Sequence, residues 1–452
     1  SHLPAHDLDL SADHPDLCWP FGQHILSGAK LVRHHPNLYA VYLTNHGCGP
    51  DTMLSHLFRE EMGDKPYLHI EVDEHFSRIG VITRIEAFLN SLAQQPTQTV
   101  DSSFNWQQTA IQPIHLSSVM KPELMVAIPD LPPYGRLLAA YYEAKHIPAR
   151  LLPLGSAEMT RGLEETVSKE YAAFTLLAGA ALKAAETDTE MQILLPHTEG
   201  AEADNQYSRV IDALLRLRGF EQMWIYSPCI ECLPQESTDL PGIFRLLLLG
   251  DLYYAFPADM RRQGCFEQSR DWSDILRQAE NLRTVKQPTD RRLAAVGDPI
   301  CLFALAEPIF EQLEQEGYYL HRMPLAEYML YLWQQDSKNS SKQLDPCHEE
   351  TRQLSEALGD WSPFADDFKY LATGDQQMDR FVGGNGSYRL AKIRQESQKV
   401  DGILSAASQY ENTELILTMN EQLIDLPLYH MELGNRWENS DWERVRSFLY
   451  YL

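Results

Sequence analysis

The chain has 452 residues and 44% hydrophobic content, which is enough for several buried cores and predicts about two to four domains. Its 64 acidic residues outnumber 38 basic ones, and the net charge of −26 repels phosphate backbones and anionic membrane surfaces. We therefore expect neither nucleic acid nor membrane as a partner. Seven thinly spread cysteines do not resemble the disulfide framework of a secreted protein, and no secretory signal is visible. These features predict a cytoplasmic protein with reduced thiols.

The N-terminal part of the chain alternates helix and strand patterns. Apolar residues recur at helical spacing in 21–33, 53–58 and 82–92, and continuous apolar runs at 38–43 and 67–72 fit buried strands. Alternation of this kind is typical of a parallel sheet. Residues 1–95 are therefore predicted to form a partial α/β domain.

Residues 96–120 are rich in Gln, Ser, Thr and Pro, which predicts a linker. The next part, 121–234, is predicted as a doubly wound α/β domain. Its expected strands are 124–128, 149–152, 191–195 and 223–226. The following stretch, 235–292, has helical patterns and no clear strand, which predicts a helical connector.

The last part, 293–452, is predicted as a further α/β domain with a polar, mobile loop at 336–344. Its expected strands are 300–303, 318–322, 414–418 and 428–432, and its expected helices are 307–316 and 442–450. The predicted fold class is thus α/β, with multiple doubly wound parallel-sheet domains of Rossmann-like or flavodoxin-like type and a helical connecting region.

Cys48 lies in a Gly-Cys-Gly-Pro loop between a predicted strand and a predicted helix. Backbone N–H groups and the dipole of that helix would favour its thiolate, which makes Cys48 a candidate metal ligand or reactive thiol. The alternative is an inherited glycine-rich turn whose cysteine has no partners.

Cys229 and Cys232 form a Cys-x-x-Cys pair at the end of the strand predicted over 223–226. Together with Cys48 they would supply three ligands to a metal or an iron–sulfur cluster, provided that the two domains face each other. Two free thiols in a turn are the alternative.

Other polar residues and glycines follow the first two strands. Asp73, Glu74 and His75 come after the strand at 67–72, where they would line a crevice and act as acid, base or cation ligands. Helix capping and solubility are the alternative roles. The loop residues expected to line the same crevice are Asn45, Gly47 and Gly49.

Three segments carry a family resemblance, namely Leu38 to Asp51, Lys65 to His75, and Gly80 to Leu89. They closely resemble the large activase-related proteins of the 2-hydroxyacyl-CoA dehydratase family. Weaker similarity continues in family order through nearly the whole chain. It runs through Ser168–Glu170, His197–Tyr207, Ser227–Pro228, Gly297–Phe303 and Pro324–Leu330.

The resemblance implies a fold, a cofactor and partners. In that family two α/β domains face each other, and cysteines from loops at strand ends hold an iron–sulfur cluster. An ATP-driven activase domain or subunit feeds the cluster with electrons, and acyl-CoA is the substrate of the dehydratases. Double-cubane relatives reduce small substrates instead. Such chemistry belongs to anaerobic metabolism.

Carried over residue by residue, the resemblance is mixed. Cys48 matches a family ligand position. The family's Lys-Glu-Cys-x-x-Cys stretch reads Lys169 to Phe174 here, and its Gly-Pro-Cys-Arg-Phe-Gly-Gln-Tyr stretch reads Gly200 to Tyr207, without a cysteine in either. The last family cysteine falls near Met419 to Pro427, where there is again none. We therefore expect no complete cluster in this chain.

Two functional hypotheses stand. The first is a dehydratase- or activase-related component of an ATP-activated iron–sulfur electron-transfer system, with ligands from Cys48, Cys229 and Cys232. The second is a degenerate, non-catalytic scaffold or partner-binding domain of the same family, which the missing thiolates favour for the C-terminal half. Since the sequence begins without Met, we also expect a piece of a longer protein.

Overall fold

The computed structural model describes most of the chain from residue 19 onward, together with His14 and Leu17. The described ranges are 19–45, 49–72, 77–94, 115–166, 170–187, 190–200, 202–269, 271–288, 291–336, 339, 341–365, 385–421, 424–435 and 439–452. Three parallel sheets alternate with helices along these ranges. The predicted α/β class with several parallel-sheet domains is confirmed.

The first sheet pairs β1 (Val41–Asn45) with β2 (Leu68–Val72) in parallel. The helices around it are α1 (Pro20–His34), α2 (Gly49–Met62) and α3 (Arg78–Ala93). Helix α2 covers one face, where Tyr42 stacks on Phe58 with ring centroids 4.3 Å apart. Helix α3 is N-capped by Ser77, whose hydroxyl accepts from the Gly80 N–H, and none of its residues is buried.

The second sheet has five parallel strands in the order β3-β7-β6-β4-β5. They are β3 (Leu116–Ser117), β4 (Met125–Pro129), β5 (Ala149–Leu152), β6 (Met191–Leu194) and β7 (Trp224–Tyr226). Four helices accompany them, α4 (Tyr134–Ala144), α5 (Ser156–Leu163), α6 (Ala172–Thr187) and α7 (Tyr207–Leu217). Strand β6 is buried along its whole length, as expected for a parallel strand covered on both faces. Strand β3 lies within the segment predicted as a linker.

A helical region follows, as the sequence predicts. It contains α8 (Leu233–Glu236), α9 (Leu240–Ala255), α10 (Ala258–Arg262) and α11 (Trp272–Arg283). Helix α9 begins where the Asp239 side chain accepts from the Gly242 N–H. Its apolar face packs into a second core that also includes Ile275, Trp333 and Leu354.

The third sheet has four parallel strands in the order β11-β10-β8-β9. They are β8 (Arg292–Gly297), β9 (Tyr319–Arg322), β10 (Gly402–Ser408) and β11 (Leu428–Leu433). The helices of this part are α12 (Glu307–Gln315), α13 (Leu325–Gln335), α14 (Ser341–Leu358), α15 (Gly386–Glu396), α16 (Asn412–Met419) and α17 (Asn439–Tyr450). Strands near 318–322 and 428–432, and helices near 307–316 and 442–450, are confirmed.

Two predicted strands of this part are wrong. The run 300–303 begins a helical turn (Cys301–Leu305), because the Asp298 carboxylate accepts from the Ile300 and Cys301 N–H groups and turns the chain after β8. The run 414–418 belongs to α16, whose buried residues Thr413, Glu414 and Leu417 lie on one helical face. Helix α14 begins at Ser341, within the segment predicted as a mobile loop.

The three sheets share one hydrophobic core. It contains Leu57 from α2, Ile193 from β6, Val296 from β8 and Leu404 from β10. The strands of the second and third sheets are therefore held in fixed relation by packing. Among the described helices, none has both the length and the apolar character that a membrane crossing requires.

Candidate functional site

A crevice lies between the second and third sheets, at the carboxyl ends of their strands. The loop after β6 brings Asp204 into it, Asp298 follows β8, and Ser408 and Glu411 come from the end of β10. Helix α15 adds Arg389. Ligands of doubly wound folds bind outside the carboxyl ends of parallel strands, so this crevice is the first candidate site.

The crevice contains a fully buried cation, Arg389, whose residue is 1% exposed. Its Nη2 lies 2.6 Å from Glu411 Oε1, and its Nη1 lies 3.5 Å from Glu414 Oε2. Burial works against the charged guanidinium, but the carboxylates of Glu411 and Glu414 outweigh it and raise the pKa of Arg389. The arginine therefore stays charged, and within the described residues its Nε has no hydrogen-bond acceptor.

One carboxyl group of the crevice holds a proton at neutral pH. Burial, reinforced by the charges of Glu202 and Asp298, raises the pKa of Asp204 to about 8. Burial also raises the pKa of Glu411, but the charge of Arg389 works in the opposite direction and Glu411 Oε1 lies 2.6 Å from the guanidinium, which makes Glu411 its carboxylate partner. The crevice therefore combines a buried ion pair with one largely neutral acid.

Tyr171 forms one wall of the crevice. Its hydroxyl accepts a hydrogen bond from the Asn412 N–H at 3.1 Å. A Cβ atom added to Gly49 would lie 2.2 Å from the Tyr171 hydroxyl oxygen, so only glycine fits at the start of α2. The residue directly after Cys48 therefore contacts the crevice wall.

Ser408 links the strand end to the opposite domain. Its hydroxyl oxygen accepts from the Ala173 N–H at 3.2 Å and lies 3.5 Å from the Cys301 Sγ. Burial, with the nearby carboxylate of Asp298, raises the pKa of Cys301 well above its usual value. Cys301 is therefore a neutral thiol.

The described crevice residues do not fit an iron–sulfur cluster. Clusters of this type are held by cysteine thiolates, whereas the residues lining the crevice offer hydroxyl, carboxyl and guanidinium groups. The open volume is about 20 Å³, which takes about one water molecule. Tyr171 and Glu202, two positions at which the resemblance expects cysteines, line this crevice.

A second candidate site lies beside the end of β7. Ligand atoms of Glu199, Cys229 and Cys232 all lie within 4.8 Å of one another. The Cys232 thiol donates to Glu199 Oε1 at 3.8 Å, and the Cys229 thiol donates to Glu231 Oε2 at 3.7 Å. Burial raises the pKa of both thiols, and the surrounding carboxylates add to the effect. Both cysteines are therefore neutral thiols in this structure.

The residues predicted for the site from sequence fall into two groups. Those outside the described residues are Gly47, Cys48, Asp73, Glu74 and His75. Of the remainder, Asn45 ends β1 and its N–H donates to Asp51 Oδ2 at 2.8 Å, while Gly49 begins α2 against Tyr171. The predicted ligand set that joins Cys48 to Cys229 and Cys232 stays a prediction.

Sequence reasoning singled out Cys229 and Cys232 but missed four residues of the two sites, namely Glu199, Asp204, Arg389 and Glu411. A signal existed for Glu199 and Asp204, because acidic residues in the loop after a strand of a parallel sheet lie at its functional edge. Glu411 gave no such signal, because the sequence of β10 does not have a strand pattern. Arg389 gave no local signal, since its role depends on partners that only the tertiary fold provides.

Comparison with known proteins gives no relative for this chain. No protein-family model, curated protein or solved structure matches it.

Proposed function

We propose that the chain is a non-catalytic, partner-binding component of an ATP-activated iron–sulfur electron-transfer system related to the 2-hydroxyacyl-CoA dehydratases and their activases. The donor set of the crevice carries this proposal. Where the resemblance expects a thiolate-bound cluster, a buried arginine with its carboxylate partners, a protonated aspartic acid and tyrosine hydroxyls close the space. The electron-carrying cluster then belongs to another part of the assembly.

The crevice acts as a joint between the second and third sheets. Besides the bonds of Tyr171 and Ser408 across it, the Thr413 hydroxyl donates to Glu202 Oε1 at 2.7 Å. Each bond links a residue of the second unit to one of the third. Such bonds contribute about 0.5–1.5 kcal/mol each and fix the relative orientation of the two units. A site that only fixes orientation supports a scaffold role.

The first sheet supplies the binding surface. Helix α3 packs against β2, and its Phe88 ring meets the ring of Tyr39, just before β1, edge-on at 6.3 Å, so α3 lies on the side of the sheet opposite α2. That face leaves large apolar side chains in water, with Ile79 78% and Leu43 61% exposed. We define the α3 face as the exposed residues Val41, Leu43, Ile79, Ile82, Ile85 and Leu89.

An α/β partner suits the α3 face best. Parallel sheets are normally covered on both faces and contain more than two strands, and the described chain adds no third strand to β1 and β2. A partner that supplies a further parallel strand would cover the open edge and the apolar helix together. We assign this role to the ATP-dependent activase domain or subunit that the resemblance implies.

The test combines metal analysis with a binding measurement. The chain is purified under anaerobic conditions, and its iron and acid-labile sulfide are measured; we expect neither in stoichiometric amount. Binding to the ATP-dependent activase from the same organism is then measured by interferometry for the wild-type chain and for Ile79→Glu. The matched control is Leu217→Glu, because Leu217 is 64% exposed and lies outside the α3 face.

We expect Ile79→Glu to weaken activase binding at least about tenfold, because it removes an apolar contact from the centre of the interface. Leu217→Glu should leave activase binding unchanged. Equal binding by all three chains would refute the assignment of the α3 face. Iron with matching sulfide, lost in Cys48→Ser, would refute the non-catalytic proposal and support an electron-transferring enzyme instead.

A further inference from the structure

Two neighbouring strand ends bring three potential metal ligands together, of which Glu199 is exposed and Cys229 is buried. Glu199 lies in the loop after β6, and Cys229 and Cys232 lie in the loop after β7. We propose that these three residues bind a zinc ion. This site extends beyond the proposed function, and none of its three residues lines the crevice.

The distances suit tetrahedral zinc. With Zn–S of about 2.3 Å and Zn–O of about 2.1 Å, a tetrahedral ion places a sulfur and a carboxylate oxygen about 3.6 Å apart, and two sulfurs about 3.8 Å apart. The Cys232 Sγ and Glu199 Oε1 are 3.8 Å apart, and all three ligand atoms lie within 4.8 Å of one another. The loops need to close by about 1 Å at most to coordinate the ion.

Backbone hydrogen bonds hold the two loops together. The His197 N–H donates to the Pro228 carbonyl at 3.1 Å, and the Ile230 N–H donates back to the His197 carbonyl at 2.9 Å. The Glu199 N–H donates to Glu231 Oε2 at 3.0 Å. The Glu231 carboxyl group thus positions the loop that carries Glu199, and it also accepts a hydrogen bond from the Cys229 thiol.

The helical region supports the Cys-x-x-Cys loop from the other side. The Trp333 indole Nε1–H donates to the Ile230 carbonyl at 3.0 Å, and the Asn339 amide donates to the Glu231 carbonyl at 2.8 Å. Ligands that are held by such surrounding bonds lose little freedom when a metal binds. The loop is therefore organised before the ion arrives.

The charge around the site attracts a cation. The charges acting most strongly on the Cys232 thiol come from the carboxylates of Glu199, Glu236 and Asp336. Glu231 adds a further carboxyl group beside Cys229. An exposed Glu199 leaves the site open to ions from solvent.

The ligand types select zinc. Two thiolates and a carboxylate suit a borderline-soft divalent ion, whereas calcium and magnesium prefer oxygen ligands throughout. Three protein ligands leave the fourth tetrahedral position to water. Each thiol releases its proton to solvent when the ion binds.

The test uses the full chain in reduced form after removal of metal with a chelator. Zinc is titrated in competition with a chromophoric chelator, and cobalt(II) serves as a spectroscopic probe for thiolate charge transfer and tetrahedral geometry. We expect one ion per chain. Cys232→Ser should lower the affinity by at least about 100-fold, and Glu199→Gln by about 10–100-fold.

Two variants serve as controls. Cys265→Ser removes an exposed cysteine outside the site and should leave zinc affinity unchanged. Glu236→Gln removes a neighbouring charge without removing a ligand, so its effect should be smaller than that of Glu199→Gln. Circular dichroism establishes that each variant is folded; Glu199 is exposed, so its substitution tests the site without disturbing a core.

The remaining outcomes separate this inference from the proposed function. Absence of zinc binding by the reduced chain, or binding that Cys232→Ser leaves unchanged, would overturn the zinc site alone. Iron and acid-labile sulfide that disappear in Cys48→Ser alone would overturn only the non-catalytic proposal, and their disappearance in Cys232→Ser as well would overturn both.

Discussion

The buried carboxyl group of Asp204 makes stability depend on pH, and Asp204→Asn tests this. The folded protein raises the pKa of Asp204 to about 8, from an ordinary value of 3.8. Between those limits the folded state keeps protons that the unfolded state has lost, so the free energy of unfolding falls as pH rises. Each such proton lowers the free energy of unfolding by about 1.4 kcal/mol for every unit by which the pH rises, or by about 4 kcal/mol between about pH 5 and 8.

Urea unfolding, followed by circular dichroism from about pH 5.5 to 8.5, measures this slope. Asp204→Asn should reduce the slope by about 1.4 kcal/mol per pH unit. Asp212→Asn is the matched control, because burial raises the pKa of Asp212 only to about 6 and its effect should end near that pH. A slope that is the same in Asp204→Asn and in wild type would refute the reasoning.

Three further predictions concern packing and buried charge, and urea unfolding at neutral pH measures each. Gly49→Ala should lower the free energy of unfolding by about 1–3 kcal/mol, because the added Cβ would meet the Tyr171 hydroxyl. Gly28→Ala, which adds its Cβ in open space on α1, should raise the free energy of unfolding by about 0.5–1 kcal/mol. Equal effects of the two substitutions would contradict this prediction. Lys392→Met should lower the free energy of unfolding by about 3–5 kcal/mol, because the buried carboxylates of Glu327 and Glu396 lose the ammonium group that pairs with both. An unchanged urea midpoint would disprove this prediction. Asp251→Asn should cost about 1–3 kcal/mol, because both oxygens of Asp251 accept from a tyrosine hydroxyl and two backbone N–H groups, whereas an amide has only one acceptor oxygen. Wild-type stability of this variant would count against that network.

The fold class could be predicted from the sequence because most strands are apolar runs flanked by helical periodicity. Strand β10 was missed, since Gly402–Ser408 consists largely of Gly, Ala and Ser, which have low strand propensity. Its small residues allow close approach of neighbouring backbone: a Cβ on Gly297 would lie 1.9 Å from the Ala406 carbonyl oxygen. Conversely, the run Glu414 to Thr418 has a strand-like composition, but burial of Glu414 and Leu417 on one face favours α16.

The candidate site was less predictable for a different reason. Cys229 and Cys232 could be singled out because their spacing is a local pattern. Glu199 joins them only because β6 and β7 are adjacent in the sheet, and that strand order cannot be obtained from spacing along the chain. Arg389 and Glu411 likewise meet only when α15 packs beside the end of β10.

The polar side chains of the crevice depend on one another for their partners. A buried arginine needs carboxylates, and Glu411 and Glu414 provide them. The Tyr171 hydroxyl needs a partner when it is buried, and the Asn412 N–H that follows Glu411 donates to it. Tyr171→Cys would therefore leave the Asn412 N–H without its present acceptor. The side chains that line the crevice thus also hold the second and third units together, and their hydroxyl, carboxyl and guanidinium groups are poorly suited to hold an iron–sulfur cluster.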